Sequence, residues 1–391
     1  MGGTRESMAQ DDVQFGVLGP LEMSINGTAV PLGTPKQRAV LAMLLINRNR
    51  PVSVDALTGA AWEQGPPAGA RATLSSYVSN LRRLLAGAGV ETRALLASAP
   101  PGYRLAVPDM HYDLGRFAAE KTAGVRAAAE ARFEQASEHF SAALAEWRGP
   151  VLDDLRDFNF VDAFQMGLVE EKIVTHIARA EVEIACGRPR SLIGELESLT
   201  IDHPYREALW AQLITAYYLD DRQSDALDAY HRLRDNLADD LGVDPGPKVR
   251  ALYERILSQR PLDMRKAAQS NADDTLRTLS EYPPAPSGTT RGPLLRDANQ
   301  RTYRLAATTT RIGRSPDNDI TLSGAKVSRH HAALVDTGSS FVIVDLRSAN
   351  GVYVSGRRIL ASTTLSDGDR IGITEHQLIF ETTSHEPVTD Q

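Results

Sequence analysis

Three clusters decide how the chain is read: Arg311-Ile312-Gly313-Arg314-Ser315, Val327-Ser328-Arg329-His330-His331-Ala332, and Asp345-Leu346-Arg347-Ser348-Ala349-Asn350-Gly351. The runs between them, Asp319 to Leu322, His331 to Val335 and Phe341 to Leu346, alternate in hydropathy and are bounded by Gly, Ser, Asp or Asn. That two-residue period predicts a β-sandwich, with the clusters as loops at one end. Arg314 offers a planar fork of donors, Ser328 a hydroxyl, Arg329 a second cation, and Asn350 an amide that both donates and accepts. The set suits a phosphate monoester on an extended peptide. Arginine gives charge-assisted bonds to phosphate, and the amide clamps the peptide main chain.

In order and spacing, Gly313-Arg314, Ser328-x-x-His331, Asn350-Gly351 and Gly356 resemble the pattern of the forkhead-associated (FHA) domain, over residues 293 to 385. The resemblance implies phosphothreonine binding through Arg314, Ser328, Arg329 and Asn350, with a Ser/Thr protein kinase as the phosphothreonine-bearing partner. Ser355 departs from it, since the family usually has Asn there. This touches the loop near the peptide and leaves the phosphate contacts intact. His331 is expected to brace its loop, and His330-His331 is not read as a metal pair because adjacent strand residues face opposite ways.

With 391 residues, 42% apolar and 24% charged, the chain is long enough for two or three domains with ordinary cores. Its longest apolar run, Ala39 to Ile46, is far short of a membrane span, and the first residues do not read as a secretory signal. One cysteine, Cys186, allows neither an internal disulfide nor a thiolate cluster, so a cytoplasmic, metal-free and cofactor-free protein is expected. Charge is uneven. Residues 1–110 hold 10 Lys/Arg against 8 Asp/Glu, residues 111–290 hold 21 against 31, and residues 291–391 hold 12 against 11. In the first segment the cations concentrate from Lys36 to Arg104, as expected of a lobe that meets nucleic acid.

That lobe, residues 13–110 after a tail of residues 1–12, opens with a hairpin around Asn26-Gly27. Three helices are expected next, Pro35 to Asn47, Ser53 to Trp62 and Ala70 to Ala86, and then a hairpin through Ala99-Pro100-Pro101-Gly102. On the third helix Leu74, Val78, Leu81 and Leu85 share one face, while Thr73, Ser76, Ser79, Asn80 and Arg83 lie opposite. A small, hydroxylic face fits a major groove. Asn80 and Arg83 suit bidentate base contacts, and the hydroxyls suit phosphates. The arrangement resembles the OmpR-type winged helix-turn-helix and, with Phe15-Gly16-Val17-Leu18-Gly19-Pro20-Leu21 before it, the Streptomyces antibiotic regulatory proteins. What this implies is duplex promoter DNA as a partner, with Arg104 of the wing approaching the minor groove.

Residues 111–259 have helical periodicity throughout, with breaks expected at Gly124, Gly149-Pro150, Gly187, His203-Pro204, Leu219 to Asp221 and Gly242. Ala136 and Phe140, then Ala226 and Tyr230, keep the small-x-x-x-aromatic spacing of tetratricopeptide-like helices, and Gly187-Arg188 recurs as Asp221-Arg222. The segment resembles the bacterial transcriptional activation domain of the same regulators, an interaction module that could meet RNA polymerase or support a homodimer. Residues 260–292, rich in Pro, Ser, Asn and Asp, read as a semi-flexible linker with at most a helix turn or two from Ala272 to Glu281. Residues 386–391 read as a tail.

No phosphate-binding Gly-x-x-x-x-Gly-Lys loop, Gly-x-Ser-x-Gly elbow or His-Glu-x-x-His pair occurs, so no enzyme is expected. The order winged helix, all-α domain, all-β FHA sandwich resembles a group of mycobacterial regulators. It implies an activator of cell-wall arabinosyltransferase genes read by Ser/Thr kinases. A phosphopeptide scaffold whose first lobe binds protein is the alternative. For coupling, the sequence favours recruitment of a kinase that then phosphorylates Thr275, Thr278, Thr289 or Thr290 over displacement of a docked sensor, because it shows no contact between modules.

Overall fold

The structure is a computed structural model that describes residues 13–62, 65–86, 92–280, 293–305, 309–316, 318–337, 340–359 and 361–382. The chain divides into two compact units, residues 1–119, 145–171 and 281–391, and residues 120–144 and 172–280.

In the first unit β1 (Val13–Gly16), β2 (Glu22–Ile25) and β3 (Thr28–Ala29) form an antiparallel meander. Asn26 and Gly27 turn its second hairpin at φ of 51° and 75°, which suits Asn and Gly in a tight hairpin. Helix α1 (Pro35–Ile46) follows the Thr34 cap, and Ser53 caps α2 (Val54–Ala61) by accepting from the Ala56 amide at 3.1 Å. Helix α3 spans Ala70–Ala86 and buries Leu74, Val78, Leu81 and Leu85. Strand β4 (Val52–Ser53), the short α4 (Thr92–Leu95), β5 (Leu96–Ala99) and β6 (Gly102–Leu105) complete the lobe, with sheet order β4-β6-β5. Neither β4 nor α4 is legible in the sequence, since each is only two to four residues long. Gly102 fixes the β4 pairing, because a Cβ there would lie 2.8 Å from the Val54 amide nitrogen.

The meander is held from outside the lobe. Buried Asp113 accepts from the Val17 and Leu18 amides, both at 2.8 Å, and lies 3.2 Å from Arg148. Gly16 leaves the space that the Arg148 guanidinium fills. This explains why residues 111–119 and 145–171 pack as one body with residues 13–110: a buried carboxylate needs both amides and a cation.

The helices run α5 (Asp113–Ala129), α6 (Phe133–Ala145), α7 (Asn159–Ala185), α8 (Ile193–Asp202), α9 (Glu207–Leu219), α10 (Gln223–Leu241), α11 (Pro247–Leu257) and α12 (Met264–Ser280). Within the second unit Ala136, Phe140, Ala226 and Tyr230 are buried. The expected break at Gly124 is absent. Helix α5 continues through it, and a Cβ there would sit 2.8 Å from the Phe140 ring, so this glycine serves close helix approach and not chain reversal. The expected linker is corrected too. Residues 264–280 form α12, because Ala268, Ala272 and Leu276, spaced by four, lay one apolar stripe against Ala128, Phe133 and Val182. Asn271 donates to Glu181 at 2.9 Å, and Gln269 to the Ala129 carbonyl at 2.9 Å.

The last stretch returns to the first unit as two sheets. One has order β10-β9-β11-β12-β15, from β9 (Thr309–Gly313), β10 (Ile320–Thr321), β11 (Ala332–Asp336), β12 (Phe341–Asp345) and β15 (Ser362–Leu365). The other has order β14-β13-β16-β17-β7-β8, from β7 (Leu294–Asp297), β8 (Thr302–Arg304), β13 (Val352–Val354), β14 (Arg357–Arg358), β16 (Arg370–Ile373) and β17 (His376–Glu381). Ile312, Leu334, Ile343, Ile371, Leu378 and Phe380 fill the space between them. The end of the β11–β12 hairpin reaches the rest of the unit. Asp336 pairs with Arg50 at 3.4 Å, Ser340 donates to Glu171, and Ser362 of β15 donates to Glu170 at 3.2 Å. Gly167 of α7 faces Val335 there, where a Cβ would lie 3.1 Å from the valine side chain.

Candidate functional site

The sandwich gathers its three sequence clusters by backbone pairing between loops. The Arg314 amide donates to the Ser328 carbonyl at 2.9 Å and the Ser315 amide to the Arg329 carbonyl at 3.1 Å. Gly313 permits this approach, since a Cβ would sit 2.9 Å from the Arg329 carbonyl carbon. Asn318, which the sequence reading does not single out, pins the same corner, its amide donating to the carbonyls of Ser315 and Arg329, both at 2.7 Å.

His331 is fully buried. Its Nδ1 accepts from the Ser328 amide at 3.0 Å, which leaves Nε2 to carry the proton toward the Gly351 carbonyl at 3.1 Å. The ring thus ties two loops together from beneath. Ser328 Oγ accepts from the Ala349 amide at 3.2 Å, and Asn350 Nδ2 donates to the Lys326 carbonyl at 2.7 Å. Asp345 and Ser348 hold the turn between them, through the Ser348 amide at 2.8 Å and the Gly351 amide at 3.0 Å.

What the loops leave unspent defines the site. Arg314 commits Nε to the Val327 carbonyl at 3.2 Å, which anchors the base of its guanidinium, and the side chain is exposed. The Ser328 hydroxyl proton and the exposed Arg329 side chain remain as donors beside it. The arrangement fits an anion of phosphate geometry. Ser355 sits at φ 48°, a conformation natural to Asn, and its hydroxyl donates to Asp369 at 2.8 Å. Serine therefore fills the turn by a different bond.

In the first lobe Ser76, Ser79 and Arg83 are exposed on α3, and Thr73 and Asn80 are half-buried. The hydroxyls of Thr73, Ser76 and Ser79 donate to carbonyls four residues back, at 3.2, 3.2 and 2.9 Å. Asn80 is engaged at both ends, donating to Gln37 at 3.3 Å and accepting from Arg83 at 2.9 Å. Base contacts by Asn80 and Arg83 would exchange these bonds for others. Arg104 is exposed on β6, and the wing is tied to α3 by Arg82, which donates to the Leu96 carbonyl and Ser98 Oγ, both at 3.0 Å. Arg82 and Gln37 carry no local signal in the sequence, because their roles depend on partners 14 and 43 residues away.

Three family models match in this order: "Transcriptional regulatory protein, C terminal" over residues 27–105, "Bacterial transcriptional activator domain" over residues 112–257, and "FHA domain" over residues 310–374. The chain is 63% identical over 370 residues to the transcriptional regulatory protein EmbR of Mycobacterium tuberculosis, covering 94% of this chain and 95% of that protein. It is 34% identical over 254 residues to the regulatory protein DnrI of Streptomyces peucetius, covering 64% and 93%. Among solved structures, Mycobacterium tuberculosis EmbR in complex with a low affinity phosphopeptide matches with a TM-score of 0.92 at 61% identity, over 96% of this chain and 99% of that one. The winged helix, the helical activator domain and the FHA sandwich therefore make up a transcriptional regulatory protein, and the chain belongs to the EmbR family of Streptomyces antibiotic regulatory protein-type regulators with a C-terminal FHA domain.

Proposed function

We propose that this protein activates transcription from promoters of cell-wall arabinosyltransferase genes, in the cytoplasm, in answer to phosphothreonine on a Ser/Thr protein kinase. Residues 13–110 read duplex DNA, with Asn80 and Arg83 at bases, Thr73, Ser76 and Ser79 at phosphates, and Arg104 on the wing. The helices of residues 111–259 meet RNA polymerase and support a homodimer, and residues 293–385 take the phosphopeptide through Arg314, Ser328, Arg329 and Asn350. The observation that carries this reading is the unspent donor set at Arg314 and Ser328, on a chain 63% identical over 370 residues to EmbR.

The test uses the full chain. A phosphothreonine peptide is expected to bind while its unphosphorylated form does not, and Arg314→Ala is expected to weaken binding by about 1.5–3 kcal/mol, the range of hydrogen bonds to charged groups. Genomic fragments are expected to be retained in a salt-dependent way. Equal binding of both peptide forms would overturn phosphothreonine recognition, and no retention of any fragment would leave the phosphopeptide-scaffold reading.

How the two sites communicate has two readings. Recruitment needs acceptor threonines: Thr275 is half-buried on α12 and bonded to the Asn271 carbonyl at 2.9 Å, the Thr278 side chain is not described, and Thr289 and Thr290 lie outside the described residues. The Arg50–Asp336 pair supplies the contact that the sequence does not show, and it favours a docked sensor whose attachment shifts when peptide binds.

A further inference from the structure

We propose that Gln37 is a positioning residue for base recognition. Through Asn80 it sets the direction of a hydrogen-bond chain that ends at Arg83, so that α3 meets the major groove as one acceptor beside one guanidinium. That pair selects guanine next to a base carrying an amino group. The inference rests on the duplex-DNA reading above and adds to it a residue from another helix and a base preference.

Gln37 is buried in the first turn of α1, where its backbone amide donates to the Thr34 cap at 3.4 Å. Its side chain crosses to α3. Nε2 donates to the carbonyl of buried Leu32 at 2.9 Å, and Oε1 accepts from Asn80 Nδ2 at 3.3 Å. Asn80 Oδ1 in turn accepts from Arg83 Nη2 at 2.9 Å. Gly33 makes room for the first link: it sits at φ 82°, and a Cβ there would press to 3.0 Å from Gln37 Nε2.

The ends of the chain decide its direction. A backbone carbonyl only accepts and a guanidinium only donates, so neither amide between them can be turned over without setting donor against donor or acceptor against acceptor. Asn80 therefore points its donor inward and its acceptor toward the surface, where Arg83 is exposed. An asparagine that reads adenine by itself needs both groups at the base edge. Here that would break two bonds. Acting together, Asn80 and Arg83 keep the chain, because Oδ1 has a second lone pair for a base amino group. Among the described residues Arg83 donates to Asn80 alone, so the rest of its fork is open to guanine O6 and N7. In the major groove the amino groups belong to adenine and cytosine, whereas thymine and guanine set an acceptor against Oδ1. A glutamine that only filled a gap between α1 and α3 would leave base preference untouched, and this separates the two roles.

In the experiment, full-length protein selects from a library of duplexes with a randomised core. Anisotropy then measures affinity for the selected duplex and for each of its single-base-pair variants. Wild type is expected to select a guanine flanked by adenine or cytosine, and to lose about tenfold in affinity when that guanine is replaced. Arg83→Ala is expected to bring every base pair at the guanine position within about twofold. Gln37→Met is expected to remove most of the same discrimination although Arg83 is still present, and to leave unchanged the slope of affinity against salt, which follows phosphate contacts. Asn80→Ala leaves the Gln37–Leu32 bond in place, so it repeats the test with the interior intact, and it is expected to flatten the guanine position as well as its own. Combining Gln37→Met with Arg83→Ala is expected to cost no further discrimination at the guanine. If Gln37→Met weakens all duplexes uniformly, if both it and Asn80→Ala keep the guanine preference, or if wild type selects no guanine, the positioning role is overturned while DNA binding stands. If no duplex is retained, the DNA reading itself has failed.

Discussion

His331 has no exposed surface, and each of its ring nitrogens is spent on a different loop. Replacing it with alanine strands the Ser328 amide and the Gly351 carbonyl in the interior, at roughly 1–3 kcal/mol each. His331→Ala is therefore expected to lower the melting temperature and to weaken phosphopeptide binding without touching the ligand; an unchanged melting curve would contradict the bracing role. Glu181 makes the opposite kind of case. Burial raises its carboxyl to about 7 against the hydrogen bond from Asn271 and the attraction of Lys248. In the unfolded chain it ionises near 4.5, so the native state holds the extra proton between the two values and stability falls as pH rises from about 4.5 to about 7. Glu181→Gln keeps the acceptor for Asn271 and removes the titration. It is expected to be more stable than wild type at pH 8, by on the order of 2 kcal/mol, and to flatten the slope in denaturant melts between pH 5 and 7. The roles of Arg314 and Ser328 are written locally, in a turn and a hydroxyl at fixed spacing. Those of Asn318 and Glu181 are not, since each depends on residues from another element.

Among elements, α3 is the most legible, because one apolar stripe and a breaker before it set both its face and its start. Helix α12 is the least. Its stripe is built from Ala268 and Ala272, which look no more buried in sequence than any other alanine, among Asn, Asp and Ser that suit a loop equally well. Gly124 misleads for a related reason: glycine signals both chain reversal and close packing, and only the ring of Phe140 decides between them. The wing depends on α3 through one side chain. Arg82→Ala is expected to cost about 1 kcal/mol of stability, since the residue is only half-buried, yet to weaken promoter binding several-fold because the wing loses its register against the helix. Anisotropy with a bound promoter fragment measures the second effect beside a melt that measures the first. Undiminished affinity would mean that β5 and β6 hold their place without Arg82.

For the whole molecule the Arg50–Asp336 pair offers a quantitative handle on coupling. The pair is partly exposed, 41% and 12%, so its worth is roughly 0.5–1 kcal/mol, a twofold to fivefold effect. Arg50→Ala, Asp336→Ala and the double variant form a cycle in which promoter affinity is measured with and without phosphothreonine peptide. If docking carries the signal, peptide changes promoter affinity in wild type, both single variants lose most of that change, and DNA alters peptide affinity by the same factor. Coupling that survives in all three variants would return the argument to kinase recruitment.

Strands β11 and β12 run from the loop held by His331 to the end where Asp336 meets Arg50 and Ser340 meets Glu171, with Ser362 of the adjoining β15 on Glu170, and these contacts limit how portable the sandwich is. Asp336, Ser340 and Ser362 belong to the sensor, while the groups they bind belong to the rest of the chain. A chimera carrying the sensor of another regulator would keep a complete peptide pocket and still present the wrong donors to Glu170 and Glu171. If docking carries the signal, such a graft recognises its own phosphopeptide and reports nothing to the promoter until those three positions are carried over with the host.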